Sequence, residues 1–282
     1  MTVTQALRPK RTTGRLTGFG NLVLRESRKW WGTRRWWMQV LIWLVILNGF
    51  VVFGLHVMPS IIEQSAAEME QAAQSGAETM TAEEFQQDVP NVMFGLATFL
   101  LPVGVIILVQ SQVYAEKRSG VAAWIMSKPV GRPAYLLAKL VVDAVGILLV
   151  MIVLQMIPAY ILLTSVIEVN TGNFLLAVAL LAMTLFFYQS FTLMMSVIGS
   201  STEMVMGISL GVLLGGMVLK DPLTRILNDL IFLTPWTVPD AISLTLSGQP
   251  LPDVMQMTLV AVPTLTLVCL GVMFWQFRRQ EL

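Results

Sequence analysis

Residues 36–57 read WWMQVLIWLVILNGFVVFGLHV and contain no Asp, Glu, Lys or Arg. An apolar run of this length is enough for an α-helix to cross the hydrocarbon core of a bilayer, which takes about 20 residues. Five further largely apolar runs follow, at residues 92–113, 140–163, 174–198, 204–219 and 257–277. We therefore predict an all-α polytopic membrane protein with six transmembrane helices.

The composition excludes an ordinary water-soluble domain. Of the 282 residues, 55% are hydrophobic and 12% are charged, whereas a soluble domain carries about 25% charged residues. The runs lack the two-residue alternation of barrel strands, so helices are expected to pair the backbone groups within the bilayer. The single cysteine, Cys269, excludes an intrachain disulfide. We expect two regions: a basic cytoplasmic N-terminus with an interfacial helix (residues 1–35), and the six-helix domain (residues 36–282).

The positions of the basic residues predict the orientation. All of the eighteen lysines and arginines except Lys220 and Arg225 lie before the first run, between the second and third runs, or after the sixth. Basic residues are retained on the cytoplasmic side of a membrane. Both termini are therefore expected in the cytoplasm, with the protein crossing the cell membrane several times.

The connection over residues 59–91 is expected outside the cell. It contains seven acidic residues and neither lysine nor arginine. Two pairs have the spacing of a capping box, so two short surface helices separated near Gly76 are predicted. The pairs are Ser60 with Glu63, and Thr81 with Glu84.

A second external connection, residues 220–256, contains five prolines, which break a spanning helix. Short broken helices are expected there, and the apolar positions of residues 222–233 share one face of a helix suited to the outer interface. On the cytoplasmic side, residues 19–37 combine four tryptophans with five basic residues. This mixture is typical of a helix at the lipid headgroups, and the adjoining span explains it better than nucleic-acid binding does.

The connection between the second and third runs carries the functional hypothesis. Residues 114–140 read YAEKRSGVAAWIMSKPVGRPAYLLAKL. Gly120 permits a bend, residues 121–126 can form a short helix that carries Trp124, and Pro129 and Pro133 end it. The pattern predicts a short helix across the inner face, suited to contact with a soluble partner.

This connection resembles the first cytoplasmic loop in the permease subunits of type 2 ATP-binding cassette (ABC) exporters, including the branch that accompanies copper-enzyme maturation. In that loop an acid precedes a glycine, an apolar stretch, Ser-x-Pro-apolar-x-Arg, an aromatic or aliphatic residue, and a lysine. The matching positions here are Glu116, Gly120, Ser127, Pro129, Val130, Arg132, Tyr135 and Lys139. Thr-Leu-Glu often follows the glycine in the family, whereas Val121, Ala122 and Ala123 follow it here.

The resemblance implies that residues 114–139 form a coupling loop seated in a groove of a separate cytoplasmic ATP-binding subunit. Glu116 and Gly120 would set the angle of its helix, and Arg132 and Lys139 would anchor it. The resemblance also implies a dimer with a second copy or a related permease. Since the chain has no G-x-x-x-x-G-K-[ST] motif, ATP and magnesium are expected on the partner, with no catalytic residue or cofactor in this chain.

Other function classes have less support in the sequence. An autonomous secondary carrier or channel remains an alternative, although the runs hold few polar residues and show no internal repeat. An intramembrane enzyme is a weaker one, because His56 is the only histidine and no H-E-x-x-H motif occurs. The eighteen methionines are scattered as in an apolar interior, so no metal site is predicted.

Polar and small residues inside the runs give two local predictions. Lys139 and Asp143 are four residues apart, so they are expected to form an ion pair on one helix face; a transport role of Asp143 is the alternative, because acids inside a membrane are often functional. Gly207, Gly211 and Gly215 repeat every four residues and form a smooth strip for close helix packing, within the subunit or between subunits.

Overall fold

The computed structural model describes residues 14, 16–65 and 81–280. These ranges contain no strand, and six helical segments are long and apolar enough to cross a membrane. We number them span 1 to span 6: Trp36–Gln64, Ala82–Arg118, Arg132–Thr164, Thr171–Ile198, Thr202–Leu233 and Asp253–Arg279. The prediction of an all-α protein with six spans is confirmed.

Thirteen α-helices and five short helical segments of other geometry make up the described ranges. The α-helices are α1 (Phe19–Trp31), α2 (Arg35–Trp43), α3 (Gly49–Val52), α4 (Met58–Gln64), α5 (Ala82–Val109), α6 (Tyr114–Arg118), α7 (Val121–Met126), α8 (Arg132–Ile147), α9 (Leu154–Thr164), α10 (Thr171–Ile198), α11 (Thr202–Leu227), α12 (Val238–Leu246) and α13 (Asp253–Arg279). Wider π-helical turns occupy Leu44–Asn48, Phe53–Val57 and Leu148–Val153, and 3-10 turns occupy Asn228–Leu233 and Pro235–Thr237.

Spans 2 and 4 form the centre of the bundle. In their most apolar stretches 56% of the residues are buried, against 22% in spans 5 and 6. An edge-to-face contact between Phe94 and Phe174, with ring centroids 5.5 Å apart, joins the two central spans. Spans 5 and 6 therefore keep broad apolar surfaces that face outwards from the chain.

Amide side chains bridge spans 1 and 3 beside their π-helical turns. Asn48 Nδ2 donates to the Gln155 carbonyl at 3.3 Å. Gln155 Nε2 donates in turn to the Val150 carbonyl, inside the π segment of span 3, at 2.9 Å. The side chains thus satisfy backbone acceptors at the positions where the helical ladder is irregular.

Helix α1 lies against α8 at one end of the bundle. Leu22 and Glu26 are its buried residues, and its Trp30 ring occupies the space over Gly146, where an added Cβ would stand 2.9 Å from ring atoms. The predicted N-terminal helix is present, but it ends at Trp31 and a bend at Gly32 separates it from span 1. The close approach of α1 therefore depends on a glycine at position 146.

The predicted external connection over residues 59–91 is shortened at both ends in the structure. Span 1 continues to Gln64, so Ser60 lies inside α4 and the capping box predicted there is wrong; Ser60 Oγ instead donates to the Val57 carbonyl. The capping box of Thr81 and Glu84 is confirmed, but it begins span 2 itself rather than a separate surface helix. The break predicted near Gly76 lies outside the described residues.

The segment before the last span also differs from the prediction. The predicted short helix over residues 222–233 is continuous with span 5, because α11 runs through Pro222 to Leu227. The break follows at Asn228, whose φ of 46° lies in the left-handed region. The 3-10 turns and α12 then provide the short helices expected before the last span.

Candidate functional site

Helix α6 is the short continuation of span 2 that carries Glu116. The Val113 and Tyr114 backbone N–H groups both donate to Ser196 Oγ of span 4, each at 3.1 Å. Lys117 Nζ donates to the Val197 carbonyl at 2.9 Å. These bonds fix α6 to the centre of the bundle and direct the neighbouring Glu116 carboxylate towards α1 and α8.

Glu116 is the centre of an ion cluster, which we define as Arg25, Glu26, Lys29, Glu116 and Lys139. The Glu116 carboxylate lies 2.5 Å from Lys29 Nζ, 3.1 Å from Lys139 Nζ and 3.5 Å from an Arg25 guanidinium nitrogen. Glu26 lies 3.1 Å from Lys29 Nζ and 3.4 Å from Lys139 Nζ. Two carboxylates therefore bind three cations, and the cluster joins α1, α6 and α8.

Burial makes these ion pairs interdependent. The Lys139 side chain is only 1% exposed, so its charge has lost almost all contact with solvent. Removal of one partner of such a pair leaves an uncompensated buried charge and costs about 3–5 kcal/mol. Tyr135 adds a hydrogen bond, since its hydroxyl donates to Glu116 Oε2 at 2.6 Å, and its ring stacks on Phe277 of span 6 at 5.5 Å. The cluster is thereby connected to the last span as well.

Helix α7 lies on the surface beside the cluster. Gly120, with φ 73°, supplies the left-handed residue that reverses the chain between α6 and α7. Ala122 and Ile125 bury one side of α7, whereas Trp124 on the other side is 60% exposed. Lys128 Nζ lies over the Trp124 ring, 3.6 Å from its centroid. The loop thus exposes Trp124 and Lys128 on its outer side, while Ala122 and Ile125 anchor its inner side to the bundle.

The end of the loop is tied to both ends of the chain. Ser127 Oγ donates to the Trp124 carbonyl at 2.7 Å, after which Pro129 follows in the non-helical connection to α8. The Gly131 N–H donates to the Thr17 carbonyl at 3.0 Å. The Arg132 guanidinium donates to the Arg278 and Gln280 carbonyls at 2.8 and 3.1 Å. The residues before α1, the loop and the end of span 6 therefore meet at one end of the bundle.

The predicted pair of Lys139 with Asp143 is wrong. The ion pairs of Lys139 go to Glu26 and Glu116, and Asp143 Oδ1 instead accepts a 2.7 Å hydrogen bond from Trp30 Nε1. Sequence spacing can identify only a neighbour on the same helix. Because α1 packs against α8, Glu26 is available to Lys139 and Trp30 is available to Asp143.

The glycine strip of span 5 is not packed against a neighbouring helix of the described chain. A Cβ added at Gly207 or Gly211 would find no atom of the described residues within 4 Å, and one at Gly215 would only touch Leu219 and Trp236 at 3.9 Å. Close packing occurs instead at Gly216, where the Trp236 ring occupies the space of a side chain. Trp236 Nε1 then donates to the Val212 carbonyl at 2.9 Å.

Ser209 stands between two of these glycines, in the order Gly-x-Ser-x-Gly. The serine of a hydrolase nucleophile elbow occupies a sharp turn between a strand and a helix. Ser209 is instead a buried residue within α11. The motif therefore gives no support to an intramembrane hydrolase.

Sequence reasoning missed the contribution of α1 to the cluster. Arg25 and Lys29 are predicted to face the lipid headgroups, and Glu26 has no predicted role, yet these residues provide three of the five charged side chains. One signal was available, because Glu26 is the only acidic residue before Glu63. A single acid within a strongly basic segment indicates a specific cationic partner.

Comparison with known families supports the resemblance. A model of the family described as ABC-2 family transporter protein matches residues 21–282. No curated protein matches the chain. The matched region includes α1 from its third residue onwards, the ion cluster, α7 and all six spans. Because the match covers nearly the whole chain, the protein belongs to the ABC-2 family of membrane transporter proteins.

Proposed function

We propose that the chain is the membrane-spanning permease subunit of an ATP-driven exporter, and that residues 114–139 couple it to a separate ATP-binding subunit. The coupling residues are Glu116, Gly120, Trp124, Ser127, Pro129, Arg132, Tyr135 and Lys139. The single observation that carries this proposal is the exposed helix α7 joined, through α6, to a buried ion cluster at the junction of three helices.

The geometry of the cluster supports transmission of force. A partner that pushes on α7 would move α6, because only Ser119 and Gly120 separate the two helices. Movement of α6 displaces Glu116, which binds α1 through Lys29 and α8 through Lys139. A displacement at the surface would therefore reach both α1, which precedes span 1, and the start of span 3, as a rigid-body rearrangement of helices requires.

We also propose an orientation for the subunit in the membrane and its assembly with a second permease. The end of the bundle that bears α1, α7 and the last residues of span 6 carries most of the basic residues, so we place it in the cytoplasm. The glycine strip of span 5, with open space over Gly207 and Gly211, supports contact with a second copy or a related permease. Membership of the copper-enzyme maturation branch stays a prediction.

Replacement of Glu116 by glutamine tests the coupling role. Glutamine keeps the size of the side chain and an acceptor for Tyr135, but it removes the charge that binds three cations. Coupling free energies between sites are about 1–3 kcal/mol. We expect the complex with the ATP-binding subunit to assemble, while the stimulation of its ATPase activity by the permease falls about tenfold.

The control is Asp240→Asn, which removes the 2.8 Å ion pair with Lys220 near the opposite end of the bundle. This variant should stimulate the ATPase as the unaltered chain does. Equal stimulation by Glu116→Gln and by the unaltered chain would contradict the coupling role of the cluster. Transport at full rate by the purified chain without nucleotide would contradict the proposed function as a whole.

A further inference from the structure

A polar cavity lies beside the ion cluster, between α1 and spans 1, 2 and 3. Its volume is about 260 Å³. The wall combines charged residues with neutral acceptors, among which Gln39, Ser111, Gln112 and Asp143 are the most relevant. The proposed coupling role involves the ion cluster on one side of this cavity. It does not involve the wall around Asp143, whose role is still open.

Asp143 differs from the other two carboxylates of the cavity. Glu26 and Glu116 each lie within ion-pair distance of cations, whereas no ion pair of Asp143 is formed in the described part of the chain. The residue is 3% exposed. Trp30 donates to Oδ1, but Oδ2 is buried without a hydrogen-bond partner. A carboxylate oxygen in this position needs a donor or a positive charge.

The neighbours of Oδ2 define the chemistry of that donor. The Gln112 side chain lies beside Asp143 on the cavity wall, with its amide N–H side towards the carboxylate but outside hydrogen-bond geometry with Oδ2. Its Nε2 donates to the Leu108 carbonyl at 3.4 Å, and the neighbouring Ser111 hydroxyl is an acceptor on the same wall. Gln39 Oε1 accepts one hydrogen bond from Trp43 at 2.9 Å and has capacity for a second. One carboxylate oxygen, one amide oxygen and one hydroxyl oxygen match the three N–H donors of a primary ammonium group.

A divalent metal ion fits this wall less well. Calcium takes six to eight oxygen ligands, with several carboxylates among them. No group of three His, Cys, Asp or Glu side chains able to hold a metal ion occurs in residues 14, 16–65 and 81–280. An ammonium group needs only one charge and directed acceptors. The set of acceptors therefore favours an organic cation.

We propose that this cavity binds a protonated primary amine, whose ammonium group donates to Asp143 Oδ2, to the Gln39 amide oxygen and to the Ser111 hydroxyl oxygen. Such a group is supplied by the headgroup of an ethanolamine lipid or by a free amine. Adjacent Trp30, Trp31 and Trp36 form a chain of ring contacts at 6.1 and 5.9 Å, and tryptophans of this kind lie at headgroup level. Trp30 also lines the cavity, so the headgroup of a lipid lies at the depth of this wall.

The test measures lipid and amine binding to the purified full-length chain in detergent. Native mass spectrometry compares phosphatidylethanolamine with phosphatidylcholine of the same acyl chains, and calorimetry measures ethylammonium chloride. We expect about tenfold tighter binding of the ethanolamine lipid, because the trimethylated choline cannot donate N–H bonds to a carboxylate. Ethylammonium is expected to compete with that lipid.

Two variants locate the site. Asp143→Asn keeps an acceptor for the Trp30 indole but removes the negative charge, and it should abolish the preference. Gln112→Lys leaves Asp143 intact and places a tethered ammonium group in the cavity, so it should also abolish binding. Asp253→Asn makes the same chemical change at an exposed acid at the far end of span 6, and it should retain the preference.

The measurements distinguish a bound lipid headgroup from a bound free amine. A preference for ethanolamine lipid that Asp143→Asn abolishes supports the lipid source, and ethylammonium binding that depends on Asp143 without a lipid preference supports a free amine. Equal binding of both lipids together with no ethylammonium binding would overturn the proposal. Retention of unaltered binding by both Asp143→Asn and Gln112→Lys would overturn it as well. None of these measurements needs an ATP-binding subunit, so failure here is distinct from failure of the proposed coupling.

Discussion

Replacement of Trp124 by alanine should weaken binding of the ATP-binding subunit without disturbing the permease. The side chain is 60% exposed, and α7 is held by Ala122 and Ile125, which are buried on its other side. The variant should therefore keep its thermal stability in detergent within about 0.5 kcal/mol, as is usual for surface substitutions.

The size of the effect follows from the exposed area. A tryptophan side chain offers about 200 Å², so its exposed fraction is about 120 Å², which at about 25 cal/mol per Å² is worth about 3 kcal/mol when the partner covers it. That energy corresponds to a dissociation constant about 100-fold higher. Tryptophan at the centre of an interface commonly contributes about this much.

Biolayer interferometry on the permease in nanodiscs, with the purified ATP-binding subunit in solution, gives the dissociation constant directly. Trp275→Ala is the matched control, because Trp275 is 53% exposed and carries Arg279 over its ring at 4.0 Å, yet it belongs to span 6 and not to the loop. An affinity loss below about threefold for Trp124→Ala would refute the reasoning, since it would mean that α7 is not covered by the partner. An equal loss for Trp275→Ala would refute it too.

Two further predictions address the packing and the orientation. Gly146→Ala should lower the thermal midpoint in detergent, because the new Cβ would stand 2.9 Å from the indole of α1 and overpacking costs about 1–3 kcal/mol. Gly271→Ala is the control, because an added Cβ there would meet no neighbouring described atom within 4 Å, and it should leave the midpoint unchanged or raise it. A lower midpoint for Gly271→Ala than for Gly146→Ala would contradict the packing of α1. In a variant whose native cysteine is replaced by alanine, Ser247→Cys should react with an impermeant maleimide in intact cells, whereas Ser119→Cys should react only after permeabilisation. Labelling of position 119 in intact cells would show that the basic end faces outwards.

The spans could be predicted because each is a local property of the sequence. A run such as residues 36–57 is apolar over a sufficient length, and no distant residue changes that requirement. The extension of spans 1 and 2 beyond their apolar runs was not predicted. Helix α4 contains a proline and ends in Glu63 and Gln64, and the first turns of α5 are polar, so both continue the helices past the clear hydrophobic signal. Capping at Thr81 was visible in the sequence, but it could not show which helix it began.

The site was predictable only where it depends on one segment. The loop residues Glu116, Gly120 and Trp124 lie in one contiguous stretch, and their pattern indicated a helix on the surface. The partners of Lys139 could not be found in the same way, since Glu26 is 113 residues away in the sequence. The helical neighbour Asp143 was the only candidate that spacing could offer, and tertiary packing overrode it.

The π-helical turns of spans 1 and 3 have a consequence for motion. Each such turn holds one residue more than an α-helical turn would, and one residue corresponds to a rotation of about 100° around the helix axis. If the turn at Leu148–Val153 tightened to α-helical geometry, one half of span 3 would rotate by about that angle relative to the other. The Gln155 side chain donates to the Val150 carbonyl across this turn. This hydrogen bond would have to break before the helix could change from one register to the other.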